Sequence, residues 1–196
     1  DENSSGTGRF INPSLTYSDG PLLVSAGYGR LRQCVGDIPA GAAPDWQSEG
    51  NVGAAFNFQV AKVFAGYNFW DPSEANRTIS ATTNLKQSAA WVGVVVPVGS
   101  ANVMAQVARL KQAQRGGDAA GTSMALVYEY NLSKRTKLYA NAAKVMNDGR
   151  ARFGLVAATA SQAASAVGAD PRVLSVGMTQ LLSSVGLPAY QPIEVG

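Results

Sequence analysis

Residues able to perform covalent or metal chemistry are scarce in this chain. It has no histidine, so imidazole metal ligands and the usual catalytic triads are absent. Its one cysteine, Cys34, can form no internal disulfide and stands in a predicted loop. Neither a glycine-rich phosphate loop nor a pair of carboxylates at a catalytic spacing is present. The sequence therefore predicts no active site, no cofactor and no metal site, and we expect no enzyme.

Polar and charged side chains at alternate positions are the remaining candidates for a site. Seven of them share positions where every second residue is polar or small: Asn57, Lys62, Asn68, Gln87, Gln106, Glu129 and Asn141. Five basic residues stand beside the longer predicted loops: Arg30, Arg32, Lys86, Arg109 and Lys111. Polar groups that line a channel replace part of a solute's hydration, and charged groups set the sign of the preferred ion.

Short segments of alternating hydrophobicity must position these side chains. Their centres lie near Ser14, Ala26, Ala55, Gly66, Gly93, Gln106, Val127, Ala140 and Val176. The gaps between centres are alternately short, about 11 to 13 residues, and long, about 21 to 36, which is typical of antiparallel strands with tight turns on one side of a membrane and large loops on the other. We therefore predict an all-β fold: an antiparallel up-and-down transmembrane β-barrel, here of about nine strands.

Composition agrees with membrane residence through strands. Charged residues make up 15% of the 196 residues, against roughly 25% in average soluble domains. No apolar run approaches the roughly 18 residues of a transmembrane helix, which leaves a closed barrel as the spanning structure. The 16 basic and 13 acidic residues are scattered, so nucleic-acid binding is not expected.

Alternation by itself fits a soluble β-sandwich as well as a barrel, because both have one apolar face. Aromatic residues favour the barrel: Tyr17, Phe58, Tyr128 and Tyr130 lie beside short turns, and Tyr28, Phe69 and Trp70 lie beside long loops. Two such belts are expected at the two membrane interfaces. A soluble all-β binding or adhesion module, with the aromatics in its core, is the alternative. The Ala-rich segment 151–168 is expected to be a helix or a flexible outer loop.

Several segments resemble the general porins of Gram-negative bacteria, the beta-proteobacterial type in particular. YEYNLSKRTKLY, from Tyr128 to Tyr139, resembles the penultimate hairpin of that family. GRFINPSLTYSDGPLLVSAGY, the valine-rich segment from Lys86 to Gln106, and RVLSVGMTQLL are similar to other porin hairpins and to the final strand. The resemblance implies a trimeric outer-membrane pore for passive diffusion.

The resemblance also predicts how the chain is divided. Family members have about 16 strands, so the nine predicted strands match the C-terminal half. We expect a loop remnant at residues 1–8, the porin barrel segment at 9–182, and a tail outside the family at 183–196, with Leu182 where the family has a terminal aromatic residue. Two unpaired sheet edges are costly in lipid, so association of copies, a missing partner segment or aggregation is expected.

The predicted function is passive diffusion of small hydrophilic solutes and ions through the bacterial outer membrane. The seven alternating polar residues are expected to face the lumen. The five basic residues are expected to gather at the outer mouth, where they either produce a weak anion preference or bind lipopolysaccharide phosphates. Outer-membrane lipid, lipopolysaccharide and further copies of the chain are the predicted partners.

Overall fold

The computed structural model describes residues 9–32, 46–72, 86–114, 117–157, 160–162 and 164–181. The strands in these ranges are β1 Phe10–Ile11, β2 Ser14–Asp19, β3 Leu22–Arg32, β4 Trp46–Asn57, β5 Lys62–Asp71, β6 Gln87–Val98, β7 Ala101–Gln112, β8 Ala119–Asn131, β9 Thr136–Asn147, β10 Leu155–Ala157, β11 Ala160–Gln162 and β12 Arg172–Gln180. Within the same ranges, no helix is long and apolar enough to span a bilayer. Cys34, Leu182 and the two predicted terminal segments lie outside the described residues.

Ten of the strands form one antiparallel sheet. Its order is β1, β3, β4, β5, β6, β7, β8, β9, β12, and β2 pairs with the same edge of β3 as β1 does. Strands adjacent in the sheet are therefore consecutive along the chain, apart from β1 and β2, which lie one after the other along the same edge of β3, and from the separate hairpin of β10 and β11. No pairing between the described residues joins β12 to β1 or β2, so the sheet is open. The predicted up-and-down antiparallel architecture is confirmed.

Tight turns connect the hairpins where the sequence predicts them. Gly20 between β2 and β3 has φ of +50°, and Gly99 between β6 and β7 has φ of +60°. Only glycine adopts this left-handed conformation at little cost. In the basic turn between β8 and β9, the Ser133 hydroxyl accepts hydrogen bonds from the backbone N–H groups of Arg135 and Thr136, at 3.1 and 3.0 Å. Local side-chain bonds of this kind favour a turn over continued strand.

The strand register divides the side chains into two faces. Val92, Val94 and Val96 lie opposite Val107, Ala105 and Val103, as predicted. Directly opposite residues point to the same face, and alternate residues point to opposite faces. The apolar face carries Leu15, Tyr17, Val24, Val52, Phe56, Tyr67, Val92, Val107, Leu126, Tyr128, Leu138, Leu174 and Val176. We call the other side the polar face.

The apolar face is uncovered. Leu174 is 78% exposed, Val176 77% and Leu15 73%, and buried hydrophobic residues among the described ones are mostly alanines. Exposed apolar side chains that extend across the sheet from β2 to β12 form a larger apolar surface than ordinary soluble monomers have. The sheet thus lacks a soluble protein's core, and its apolar face is suited to contact with lipid.

Aromatic rings on the polar face cover glycines on neighbouring strands. Trp91 lies directly opposite Gly66, Phe64 opposite Gly93, and Tyr139 opposite Gly177. In each pair the aromatic ring occupies the space that a Cβ atom on the glycine would need. Trp91 interrupts the polar pattern of β6 in the sequence because its ring packs against Gly66. Such cross-strand pairs also hold the register.

Candidate functional site

The seven predicted lumen residues all lie on the polar face. Asn57 is directly opposite Lys62, and the same row continues across the sheet through Val95, Met104 and Val127 to Asn141. The others follow from the same register: Asn68, Gln87, Gln106 and Glu129 each occupy an alternate position of this face. The Ser175 hydroxyl donates a hydrogen bond of 2.8 Å to Asn141 Oδ1. Strand register therefore brings the seven side chains to one side.

Charges on the polar face balance within the described strands. Glu49 and Glu129 are its acidic residues there, and Lys62 and Lys137 are its basic residues. Lys137 Nζ lies 3.7 Å from Glu129 Oε2. The strands thus present a polar surface with little net charge.

The five predicted outer-mouth residues belong to the other side. Register places Arg30, Arg32, Arg109 and Lys111 on the apolar face, all at strand ends that adjoin the long connections. Lys86 reaches the same side, because its Nζ lies 2.8 Å from Oδ2 of Asp71, a residue of the apolar face. These cations stand at the border of the exposed apolar surface.

The predicted aromatic belts need one correction. Tyr28 and Phe69 stand on the apolar face near the long connections, and Tyr17, Tyr128 and Tyr130 stand on it near the tight turns. Trp70 does not belong with them, since it lies directly opposite Glu49 and Gln87 on the polar face. A one-residue step along a strand reverses the face, and Trp70 follows Phe69 immediately.

The connection between β9 and β12 folds onto the polar face. Its first residues are held by Asp148, whose Oδ2 accepts from the Ala120 N–H at 2.7 Å and whose own N–H donates to Ala120 O at 2.9 Å. Asn147 Nδ2 donates to the carbonyls of Phe153 and Ala169, at 3.0 and 2.6 Å, and Asn147 Oδ1 accepts from the Phe153 N–H at 2.9 Å. One amide side chain thus clamps both ends of the connection.

Phe153 packs this connection against the polar face. Its Cδ2 lies 2.7 Å from the position that a Cβ atom on Gly121 would take, so the ring covers the polar face at β8. Ala151 and Ala164 of the same connection are 0% and 2% exposed. The segment contains the hairpin of β10 and β11 and no helix among its described residues, so of the two alternatives for 151–168, a helix or an outer loop, the helix is wrong.

Two carboxylates of the connection are stabilised in their ionised form. The pKa of Asp148 is lowered, chiefly by the hydrogen bond from the Arg150 N–H and further by those from Ala120 and Ala151. The pKa of Asp170 is lowered, chiefly by the hydrogen bond from the Asn147 N–H and then by Lys144, whose Nζ lies 3.3 Å from Asp170 Oδ2.

Sequence reasoning missed Asn147, Phe153 and Trp70 as members of this site. Asn147 ends β9 and could have been identified as a residue that bonds nearby backbone groups. Phe153 stands in an alanine-rich stretch whose direction only the folded chain reveals. No group of potential metal-ligating residues lies within the described part of the chain.

Strands that neighbour one another in chain order, with exposed apolar residues on one face and polar residues on the other, define the class of outer-membrane β-barrel proteins. The chain matches the Gram-negative porin family over residues 1–150. Outer membrane porin protein 32 of Delftia acidovorans is 33% identical over 151 residues, which cover 76% of this chain and 40% of that protein. An outer membrane porin protein of Bordetella pertussis is 29% identical, covering 67% of this chain and 39% of that protein.

The chain therefore belongs to the Gram-negative porin family, an outer-membrane class of pores rather than enzymes. It spans about 40% of the length of the curated relatives it matches. OmpT of Vibrio cholerae superposes with a TM-score of 0.62 at 17% identity, over 87% of this chain and 55% of that one. The loop L8 deletion mutant of OmpT gives 0.61 at 16% identity, over 87% and 53%. At these identities the two solved structures show the shared barrel fold alone.

Proposed function

We propose that this chain forms part of the wall of a passive diffusion pore for small hydrophilic solutes and ions. The observation that carries the proposal is the division of the sheet into two faces. The seven predicted lumen residues share one face, and most of the exposed large apolar side chains of the strands share the other. A barrel with the apolar face toward lipid places the polar groups against water, where they replace part of a solute's hydration.

The soluble adhesion module is not favoured. Such a module would bury the apolar face against a second layer, and residues such as Leu174 and Val176 are more than three-quarters exposed.

Charge selectivity of the proposed pore is weak. The expected anion preference depended on the five basic residues gathering at the outer mouth, and their position beside the apolar face supports a small contribution to the field inside the lumen. Two acidic and two basic residues on the described strands of the polar face leave little net field. We propose instead that the five basic residues contact phosphate groups of outer-membrane lipid or lipopolysaccharide at the membrane border. These residues are Arg30, Arg32, Lys86, Arg109 and Lys111. Assembly into trimers, which the porin resemblance implies, is part of the same proposal.

Planar-bilayer conductance and reversal potentials in a salt gradient test the pore. The protein should give discrete conductance steps and a reversal potential close to zero. Glu129→Gln should shift the reversal potential in the direction of anion selectivity, because Lys137 then has no acidic partner on the polar face.

Asp19→Asn is the matched control, since Asp19 is an exposed carboxylate on the apolar face beside a tight turn. A protein that gives no conductance, or an equal shift from both variants, contradicts the assignment of the polar face to the lumen.

A further inference from the structure

Trp70 separates two small cavities on the polar face near the long connections. The first, of about 180 Å³, lies between Trp70 and Phe153, and Asn68, Gln87, Ala89 and Leu110 of the polar face also line it. The second, of about 120 Å³, lies on the side of Trp70 nearer β3, where Phe10, Leu31, Gln47 and Glu49 of the polar face line it. Aromatic rings and amide or carboxylate groups thus alternate across the sheet.

The polar groups of the first cavity are available to a ligand. Among the described residues, Asn68, Gln87 and Trp70 make no side-chain hydrogen bond or ion pair. Each amide offers two donors and one carbonyl acceptor, and the indole N–H offers one donor. A concave, largely apolar pocket with a few such polar groups is the usual form of a small-molecule site.

From this arrangement we propose that Trp70 and Phe153 form a binding subsite for neutral sugars, with Asn68 and Gln87 as hydroxyl partners. The C–H groups on one face of a pyranose ring pack against an aromatic ring, while the ring's hydroxyls both donate to and accept from amides. The second cavity takes an adjoining sugar unit on the other side of the Trp70 indole. The subsite deepens the proposed pore function, on which it rests, by naming a class of solute.

The subsite offers anionic solutes no cation on the polar face, although Lys86 and Lys111 line a neighbouring cavity with Trp70 and Gln87. Lys62, the basic residue of the polar face on β5, lies eight positions from Trp70, about 26 Å along the strand. Lys111 borders the first cavity, but its register places it on the apolar face. Glu49 is the one charged polar-face residue among the linings of the two cavities, and it repels anions.

An organic cation fits less well than a neutral sugar. Glu49 is the polar-face carboxylate that lines a cavity beside Trp70, and it packs against Gly29: its Oε1 lies 2.9 Å from the position that a Cβ atom there would take. Asp71 and Asp118 line a neighbouring cavity with Trp70, and Lys86 Nζ lies 2.8 Å from Asp71 Oδ2 there. The first cavity has amides and no carboxylate on the polar face.

Ligand-observed saturation-transfer NMR with maltotriose tests the subsite on the whole protein in detergent micelles. Saturation should reach the ring C–H protons of the sugar most strongly, because these stack on Trp70. Trp70→Leu should weaken binding at least tenfold, and Trp70→Phe should restore most of it. Asn68→Ala and Gln87→Ala should each weaken binding several-fold while the C–H transfer pattern stays the same.

Trp46→Phe is the matched control, because Trp46 lies on the apolar face, where the Arg30 guanidinium stacks 4.7 Å from its ring centre. Heat-dependent mobility on gels checks that every variant is folded. Absence of transfer to maltotriose, equal binding by Trp70→Leu, or tighter binding of choline or of a trisaccharide of uronic acids overturns the proposal. The NMR assay does not depend on conductance, so the two proposals can fail separately. A protein that conducts ions but does not bind maltotriose refutes the subsite alone. A protein that binds maltotriose but gives no conductance refutes the pore alone.

Discussion

Replacing Phe153 by alanine should make the connection between β9 and β12 open more often from the polar face. The half-buried ring stands over Gly121, and a phenylalanine that loses about 100 Å² of contact loses about 2.5 kcal/mol at about 25 cal/mol per Å². Each 1.4 kcal/mol is tenfold in an equilibrium constant, so local opening should become roughly 60-fold more frequent. The asparagine clamp at Asn147 stays in place, which limits the effect to this segment.

Cysteine labelling measures the opening directly. In a background with Cys34→Ser, a cysteine at position 164 reports on opening because Ala164 is 2% exposed and labels only when the connection lifts. Phe153→Ala should raise the maleimide labelling rate of Ala164→Cys by roughly 10- to 100-fold. Phe58→Ala, at an exposed aromatic beside the turn between β4 and β5, should leave the rate unchanged. A labelling rate that Phe153→Ala does not alter would refute the docking of this connection.

Three further outcomes follow from the faces, the glycine pairs and the carboxylates. Gly66→Ala should lower the free energy of unfolding in detergent by about 1–3 kcal/mol, because its Cβ would meet Trp91 Cε2 at 2.6 Å and Val52 O at 3.0 Å. Gly53→Ala should be tolerated, because the nearest atom to its Cβ would be 3.6 Å away. Equal losses of stability in the two variants would contradict the contact between Gly66 and the Trp91 ring. Val92→Lys on the apolar face should cost about 2–4 kcal/mol of folding stability in lipid vesicles, whereas Gln106→Lys on the polar face should cost little. A larger loss of stability for Gln106→Lys would mean that the polar face, and not the apolar face, contacts lipid. Acid should loosen the connection after β9, because Asp148 and Asp170 have pKa values below the ordinary 3.8 when it is docked. The two carboxylates stabilise the docked connection above pH 3.8, and this stabilisation disappears as the pH falls through their lower docked pKa values. Pepsin cleavage within 148–171 should therefore rise between about pH 4 and about pH 2, and it should rise less in Asp148→Asn. Cleavage that does not depend on pH would show that the two carboxylates do not hold the connection in place.

The sequence alone determined the strands, the tight turns and the two faces. A strand's side chains alternate with a period of two, and a turn depends on residues close in sequence, such as Gly20 and Gly99. Local pattern therefore sufficed to predict the valine pairing of β6 with β7 and the common face of Asn57, Lys62 and Asn141. It also sufficed for the porin family, because that resemblance rests on the same hairpins.

Only the tertiary structure decided what lies upon those faces. Phe153 reaches Gly121 across 32 positions of the chain, and the alanine-rich stretch around it has no period that shows where it packs. Phe69 and Trp70 are adjacent aromatic residues that the sequence does not distinguish. Their pairing with β4 places Phe69 on the apolar face and Trp70 on the polar face. The five basic residues, which in sequence merely border long loops, also obtain their side of the sheet from pairing. Contacts between distant segments carry this information because register and loop docking depend on partners that no local window contains.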